Sequence, residues 1–507
     1  MIFELKRDSH LPLYAQITAQ VRGMIGRGAL RLGDRLPANR ELARTLGVNR
    51  TTVATAYAEL TAEGLISSHV GRGTFVTARP EAAGAGREAA PASPMPWTAL
   101  LADQPMDRWL SGMLDARQAR EGRETISFAY GLPHADLFPL DDFRHAVDRV
   151  LRREGRALLG QGMSGGYAPL QQYLASQMAL AGIAVKPDEI LITNGCQQSL
   201  DLVRQILVRP GDEVAIENPT YPGAISVFCR TGAKFVSVPV TARGLDLDVL
   251  EDLFARSRPK LVYHVPSFHN PTGVTLGLEA RRRLIDLAVK YRVPILEDDI
   301  YSELQYDGPA LPSLKALDEH GLVIYVNSFS KMGFPGLRVG WVTAPRIVID
   351  HLNAAKQRSD LHTNLLAQAA LYEFARRGLL LRHINRAKKA YAERRDVMLA
   401  ALERHFPAEA EWNRPEGGMA IWVQLPEPLD AGQILLQAAD QGIAFSPGEH
   451  FYCCAPQPDR LRLCFTTVGP AAIEEGVRRL GAVVKARLLS LRRARAVGRA
   501  VSGRALV

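Results

Sequence analysis

The sequence predicts an α/β protein that carries a small winged helix-turn-helix at its N-terminus, and three observations lead there. From about residue 125 to 484, short β-rich runs alternate with amphipathic helical stretches, the pattern of a largely parallel sheet covered on both faces. Residues 9–77 hold a tighter pattern of short helices around a glycine turn, followed by two β-rich runs. Between the two lies 79–96, rich in Ala, Gly and Pro with one long apolar residue, which buries too little to fold alone. The expected organisation is a winged domain over 1–78, a linker over 79–124, an α/β body over 125–484 and a basic C-terminal tail over 485–507. Within the linker, Trp97, Leu100, Leu101, Trp109, Leu110 and Leu114 recur at helical spacing and predict a short helix leading into the body.

Length and charge set the outer limits. At ~100–200 residues per domain, 507 residues require more than one unit. A chain 47% hydrophobic and 23% charged is neither disordered nor fibrous. The net charge of +9 is concentrated at the ends: residues 1–76 hold ten Lys/Arg against six Asp/Glu, and 485–507 hold seven with no acid. A near-neutral body with basic ends points to a polyanion partner. The tail reads as a solvated terminus, or else as an amphipathic extension of the preceding helix. Cys196, Cys229, Cys453, Cys454 and Cys464 show no C-x-x-C spacing, so no metal site is expected. No run of ~18 apolar residues occurs and the first residues have no apolar h-region, so the expectation is a reduced, cytoplasmic protein without a membrane span.

Within the N-terminal region, Leu13, Ile17, Val21 and Ile25 fall on one face of a helix. Gly33–Pro37 reads as a turn, and Asn39 can cap a short helix that runs through Leu46 and is closed by Gly47. A second helix starts at Asn49 or Thr51, with Val53, Ala56, Tyr57 and Leu60 inward and Arg50, Thr51 and Thr52 outward. Leu65–Ser68 and Thr74–Val76 then form a two-stranded wing around Gly71-Arg72-Gly73. Arg at a recognition-helix start reads guanine edges, and Thr or Asn reaches bases and phosphates. The alternative is a winged helix that docks on protein through a solvated basic face.

These motifs, including Leu36-Pro-x-x-Arg-x-Leu-Ala43, Leu46-Gly-Val-x-Arg-Thr-Thr-Val53 and Gly71-x-Gly-Thr-Phe-Val76, resemble the GntR family of regulators across nearly all of residues 9–77. The resemblance implies DNA contacts by Arg40, Arg50, Thr51, Thr52 and Gly71, with Arg44 and Arg72 as further candidates.

In the body, Lys331 sits in a polar loop after an apolar strand, with Ser328 and Ser330 before it and Arg338 after it. Such loops are where α/β proteins bind ligands, and this one offers an amine beside phosphate-holding groups. Asp298 also ends an apolar strand, where a carboxylate can keep a pyridinium nitrogen protonated, and Tyr301 can donate to a phenolate oxygen. Asn270-Pro-Thr-Gly273 is a rigid turn whose amide can reach that same oxygen. Thr193–Gln198 leads from a strand into a helix, whose first N–H groups bind phosphate. Each feature alone is ordinary: a solvated lysine, an acidic turn, a β-turn.

Together they resemble the fold-type I enzymes dependent on pyridoxal 5′-phosphate, specifically class I and II aminotransferases, from about Ile126 to Thr467. The resemblance implies a Schiff base at Lys331, Asp298 on the ring nitrogen, and Asn270 and Tyr301 on the ring hydroxyl oxygen. It implies Tyr221 stacked on the ring and a phosphate cup of Cys196, Gln197, Ser328, Ser330 and Arg338. Arg462 would fork a substrate carboxylate, and Gly131 would belong to the mobile segment above it. Gln161 stands where many relatives have a tyrosine that reaches the phosphate of the neighbouring subunit. A GntR-type winged helix joined to such a domain resembles the MocR subfamily. It implies a homodimeric transcription regulator, arranged head to tail, that binds double-stranded DNA and responds to an amino compound at Lys331. A working aminotransferase with an accessory DNA-binding domain is the rival expectation, and regulation by the cofactor itself a third.

Overall fold

The structure is a computed structural model that describes residue 5 and residues 11–26, 29–69, 73–77 and 125–504, with side chains apart from His69 and 494–504. The predicted linker and its helix, together with Gly71 and Arg72, lie outside the described residues. The chain divides into two compact units, 1–102 and 103–507.

The first unit is built on three helices, α1 (Leu13–Gly26), α2 (Asn39–Leu46) and α3 (Arg50–Ala62). Ile17, Val21 and Ile25 pack against Leu42, Val53, Ala56, Tyr57 and Leu60, the faces expected from helical spacing. Asn49 caps α3, its side chain accepting from the Thr51 N–H at 3.2 Å. Two details differ from expectation. Asn39 is the first residue of α2 rather than its cap; Ala38 holds the cap position without a side-chain bond. Part of the supposed turn is a strand, because Arg35–Leu36 pairs with Thr74–Phe75, so the wing sheet has three strands, not two. Leu36 is thereby buried, a pairing between distant segments that local turn chemistry does not signal. The Tyr57 hydroxyl donates to the Pro37 carbonyl at 3.0 Å, fixing that segment to α3.

In the second unit, eight strands form one sheet in the spatial order Ile190–Thr193, Gly340–Thr343, Val323–Ser328, Ile295–Asp298, Val262–His264, Glu213–Asn218, Lys234–Thr241, Gly244–Leu245. Gly340–Thr343 runs antiparallel to both neighbours and the edge pair is antiparallel; the remaining pairings are parallel. The central strands Gly340–Thr343, Val323–Ser328, Ile295–Asp298 and Val262–His264 are buried throughout, as expected where helices cover both faces. A smaller antiparallel sheet pairs Ala420–Gln424 with Arg460–Cys464, flanked by Glu411–Trp412 and Ser446–Pro447. The last helix, Pro470–Arg504, carries Ile473, Val477, Leu480, Val484 and Leu488 into the core. The basic tail is therefore helical as far as Arg504 instead of a solvated coil, and Arg492 pairs with Glu409 at 2.7 Å.

Candidate functional site

Parallel strands place the loops that follow them at one edge of the sheet, where ligands of α/β folds bind. Here Thr193, Asn218, His264, Asp298 and Ser328 each end a strand of the large sheet, and the segments after them converge on a cavity of about 790 Å³. Its lining includes Gly131, Cys196, Gln197, Tyr221, Asn270, Asp298, Tyr301, Lys331, Arg338 and Arg462, residues drawn from the whole body of the chain.

Lys331 follows the buried Phe329 and Ser330, and its amine donates to the Gly131 carbonyl at 2.5 Å. Burial, aided by the Arg462 charge, lowers its pKa to about 8. Asp298 is buried, and burial raises its carboxyl to about 7. One oxygen accepts from the Tyr263 hydroxyl at 2.9 Å; the other, Oδ1, is buried with no partner. A half-satisfied buried carboxylate is costly unless something completes it. Tyr301 lies beside it with the centre of its ring 5.9 Å from the lysine amine, and burial holds its phenol protonated.

Across the cavity, the Tyr221 hydroxyl donates to Gln197 Oε1 at 3.1 Å, and Gln197 Nε2 donates to the Gly223 carbonyl at 3.0 Å. Helix Cys196–Leu207 opens at Gly195, and its first two residues line the cavity. Arg338 closes this end, donating to the Asn194 carbonyl at 3.1 Å and to Ser330 Oγ at 3.4 Å; Ser328 Oγ accepts the Ser330 N–H at 3.2 Å. Gly195 is required here. Its φ is +84°, and a Cβ would stand 2.5 Å from Arg338 Nη2.

On the opposite wall, Arg462 projects from strand Arg460–Cys464. Its guanidinium donates to Asn270 Oδ1 and to the Ala129 carbonyl, each at 2.7 Å, and lies 4.7 Å from the centre of the Phe451 ring. The Arg462 Nε is buried and unpartnered. Sequence reasoning missed Tyr263, Ala129, Ser446 and Phe451. Tyr263 sits opposite Leu296 in the neighbouring strand and Ser446 sits opposite Arg462, relations of sheet register that no local pattern signals. Gln161 is solvent-exposed.

In the N-terminal unit, Arg40 and Arg44 are exposed on α2, and Arg50 and Thr51 are exposed at the start of α3, with Thr52 half-buried beside them. Among the described residues, Arg40, Arg44 and Arg50 make no ion pair, which leaves this face cationic.

The bacterial regulatory proteins, gntR family, match residues 13–76, and the aminotransferase class I and II family matches 126–480. The chain is 32% identical over 486 residues to the probable rhizopine catabolism regulatory protein MocR of Rhizobium meliloti, covering 94% of each chain. The chain belongs to the MocR subfamily of GntR-type regulators. Its body is also similar to enzymes. It is 41% identical to the 2-aminoadipate transaminase of Thermus thermophilus, over 71% of this chain and 90% of that one. The crystal structure of LysN, the α-aminoadipate aminotransferase of Thermus thermophilus complexed with N-(5′-phosphopyridoxyl)-L-leucine, superimposes with a TM-score of 0.73 at 37% identity. It covers 78% of this chain and 100% of that one.

The cofactor of this MocR-type protein is pyridoxal 5′-phosphate, and the pocket fits it. A phosphorylated pyridine aldehyde needs an amine, an acid for its ring nitrogen and an anion-binding helix start. The cavity supplies a half-buried lysine, an orphaned Asp298 oxygen and the Gly195–Arg338 cradle. The winged domain binds DNA, the coarse function its family carries. Among the described residues, no helix is long and apolar enough to cross a membrane.

Proposed function

We propose that this regulator senses a carboxylate-bearing amine of the amino-acid class through displacement of Lys331, and that the resulting change alters its affinity for double-stranded DNA. The observation that carries this reading is the shared cavity: a half-buried amine whose pKa is lowered toward neutrality lines it together with an unsatisfied acid and a guanidinium. When bound, pyridoxal 5′-phosphate supplies an aldehyde that condenses reversibly with primary amines and a ring that withdraws electrons.

This chain's residues then divide the work. Lys331 would hold the cofactor through its amine; its lowered pKa leaves a larger share of it unprotonated and nucleophilic near neutral pH than an ordinary lysine has. Asp298 would hold a proton on the ring nitrogen through its unpartnered oxygen, while Tyr263 keeps the carboxylate in place. Tyr301 and Asn270 would face the ring hydroxyl, and Tyr221 would lie against the ring. The N-terminus of helix Cys196–Leu207 with Gln197, Ser328, Ser330 and Arg338 would take the phosphate. Arg462 exchanges its Ala129 and Asn270 contacts for the effector carboxylate, a bidentate geometry that lysine does not match. Gly131, whose carbonyl accepts from the Lys331 amine, would border the bound effector. Outward-facing Arg40, Arg44, Arg50, Thr51 and Thr52, together with Gly71 and Arg72 of the wing, contact DNA. The protein acts as a head-to-tail homodimer in the cytoplasm, so that two winged domains read two half-sites.

Aminotransferase activity is the second reading, favoured by the 41% identity to a transaminase and by the presence of Lys331, Asp298, Tyr301 and Arg462 in one pocket. The test uses DNA fragments that the full-length protein selects from a random pool. Their affinity, measured with and without each of the common amino acids, should change by about 5–150-fold for the effector, the usual range of allosteric coupling. Lys331→Ala should bind the same fragments without responding. Equal responses of both proteins would overturn the sensing role of Lys331.

A further inference from the structure

Beside the pocket lies a pair of adjacent cysteines that the reading above leaves unused. Cys453 and Cys454 hold their sulfurs 3.9 Å apart, with Cys454 exposed and Cys453 half-buried. The segment that bears them is fastened to the site at several points. The Cys453 N–H donates to Asn218 Oδ1 and Asn218 Nδ2 donates to the Cys454 carbonyl, both at 3.0 Å, so one amide side chain clamps the dipeptide. The Thr220 N–H donates to the Phe451 carbonyl at 2.8 Å, immediately before Tyr221. Phe451 in turn carries the Arg462 guanidinium on its ring. The cysteine pair is thus two residues from the aromatic under the carboxylate-binding arginine and shares Asn218 with the strand end that leads to Tyr221.

We propose that Cys453 and Cys454 form a reversible oxidation site for hydroperoxides, closing to a disulfide between neighbours that weakens effector binding at Arg462. The chemistry balances in two steps. The exposed Cys454 thiol takes an oxygen from the hydroperoxide, giving a sulfenic acid and releasing the alcohol, or water when the oxidant is hydrogen peroxide. The Cys453 thiol then displaces that oxygen as water, forming the S–S bond, and a dithiol reductant reverses the sequence. An accessible cysteine next to a resolving partner is the arrangement that redox sensors use. The exposed Cys454 meets the oxidant first, which leaves the half-buried Cys453 the resolving part.

Geometry makes this bond a switch and not a brace. Consecutive Cα atoms are ~3.8 Å apart, below the ~4.4–6.8 Å that unstrained disulfides span, so the bond is strained and readily reduced. Drawing the sulfurs from 3.9 Å to about 2.05 Å twists the peptide that Asn218 clamps from both sides, so the clamp releases and Phe451 shifts beneath Arg462.

The inference that the oxidation affects effector binding rests on the function proposed above, whereas the oxidation itself does not, and the experiment separates them. Full-length protein is treated with hydrogen peroxide, digested and analysed by mass spectrometry, alongside Cys454→Ser and Cys453→Ser. The expected result is a peptide lighter by two hydrogens that contains both cysteines, restored by dithiothreitol and absent from both variants. Irreversible oxygen addition at Cys454 alone, or cross-linked chains, would overturn the site whatever the cofactor does. The coupling is read by titrating the cofactor absorption of oxidised and reduced protein with the amino acids that shift it. Oxidation should weaken binding by about three- to tenfold, the size of a lost cation–π contact. Unchanged affinity in protein carrying the disulfide would overturn the coupling.

Discussion

Lys331 faces the sharpest chemical demand in the molecule, because a lysine in water is almost wholly protonated at neutral pH and a poor nucleophile. Burial brings its pKa to about 8 in the cofactor-free pocket. The sign follows: below that value the reactive neutral form falls about tenfold per pH unit, and above it the form saturates. Cofactor uptake by apo-protein, followed by growth of its visible absorption, should therefore slow by about tenfold per unit on going below pH ~8 and level off above it. A flat profile from neutral to mildly acid pH would contradict the burial argument. Asp298→Ala should weaken cofactor retention, because the buried, half-satisfied acid of the cavity is lost; dialysis followed by absorption measures it. Single residues were well legible in the sequence wherever chemistry is local. Lys331, Asp298 and Arg462 each lie in or just after an apolar strand, and the structure brings all three to one cavity. What completes them was not legible. Tyr263 reaches Asp298 and Ala129 reaches Arg462 only through strand register and tertiary packing, across sequence separations of 35 and 333 residues.

Elements carry a different kind of prediction. The turn Asn194-Gly195-Cys196 feeds an anion-binding helix start, and Gly195 occupies a backbone region nearly closed to other residues while leaving space for Arg338. Gly195→Ala should cost ~1–3 kcal/mol of stability, seen as a lower melting temperature, and should raise the cofactor Kd by displacing Arg338. In the winged unit, Asn49→Ala should destabilise α3 by ~1 kcal/mol, since the Thr51 N–H loses its acceptor. Helix periodicity made α1 and α3 readable almost to the residue, because their inner faces repeat every three or four positions. The strand Arg35–Leu36 was misread as turn because two residues carry no period. Its identity comes from the partner strand Gly73–Val76, far along the chain. The helical course of 485–504 was equally hard to read, since arginines there satisfy a solvated coil and a helix face alike. Leu488 in the core decides between them.

For the whole molecule, function requires two chemistries in one chain: a cationic winged unit and a cofactor-binding body. Arg50 lies exposed at the start of α3 and makes no ion pair among the described residues. If it meets a phosphate, Arg50→Ala should weaken binding to all DNA sequences alike and reduce the slope of log affinity against log salt by about one; if it meets guanine, specificity should relax at one base pair. A salt titration of the selected fragments distinguishes the two, and unchanged affinity would remove Arg50 from the interface. The central claim is that an amino compound engages the cofactor at Lys331 and is held there. The most direct measurement is a visible absorption titration of the cofactor-loaded protein with a panel of amino acids and amines, run beside Lys331→Ala. The expected result is a Lys331-dependent absorption band that one class of carboxylate-bearing amine shifts to a stable new position, with no keto acid accumulating. Continuous keto-acid production would contradict the sensing role in favour of an aminotransferase, and the absence of any Lys331-dependent band would contradict the assignment of the pocket itself.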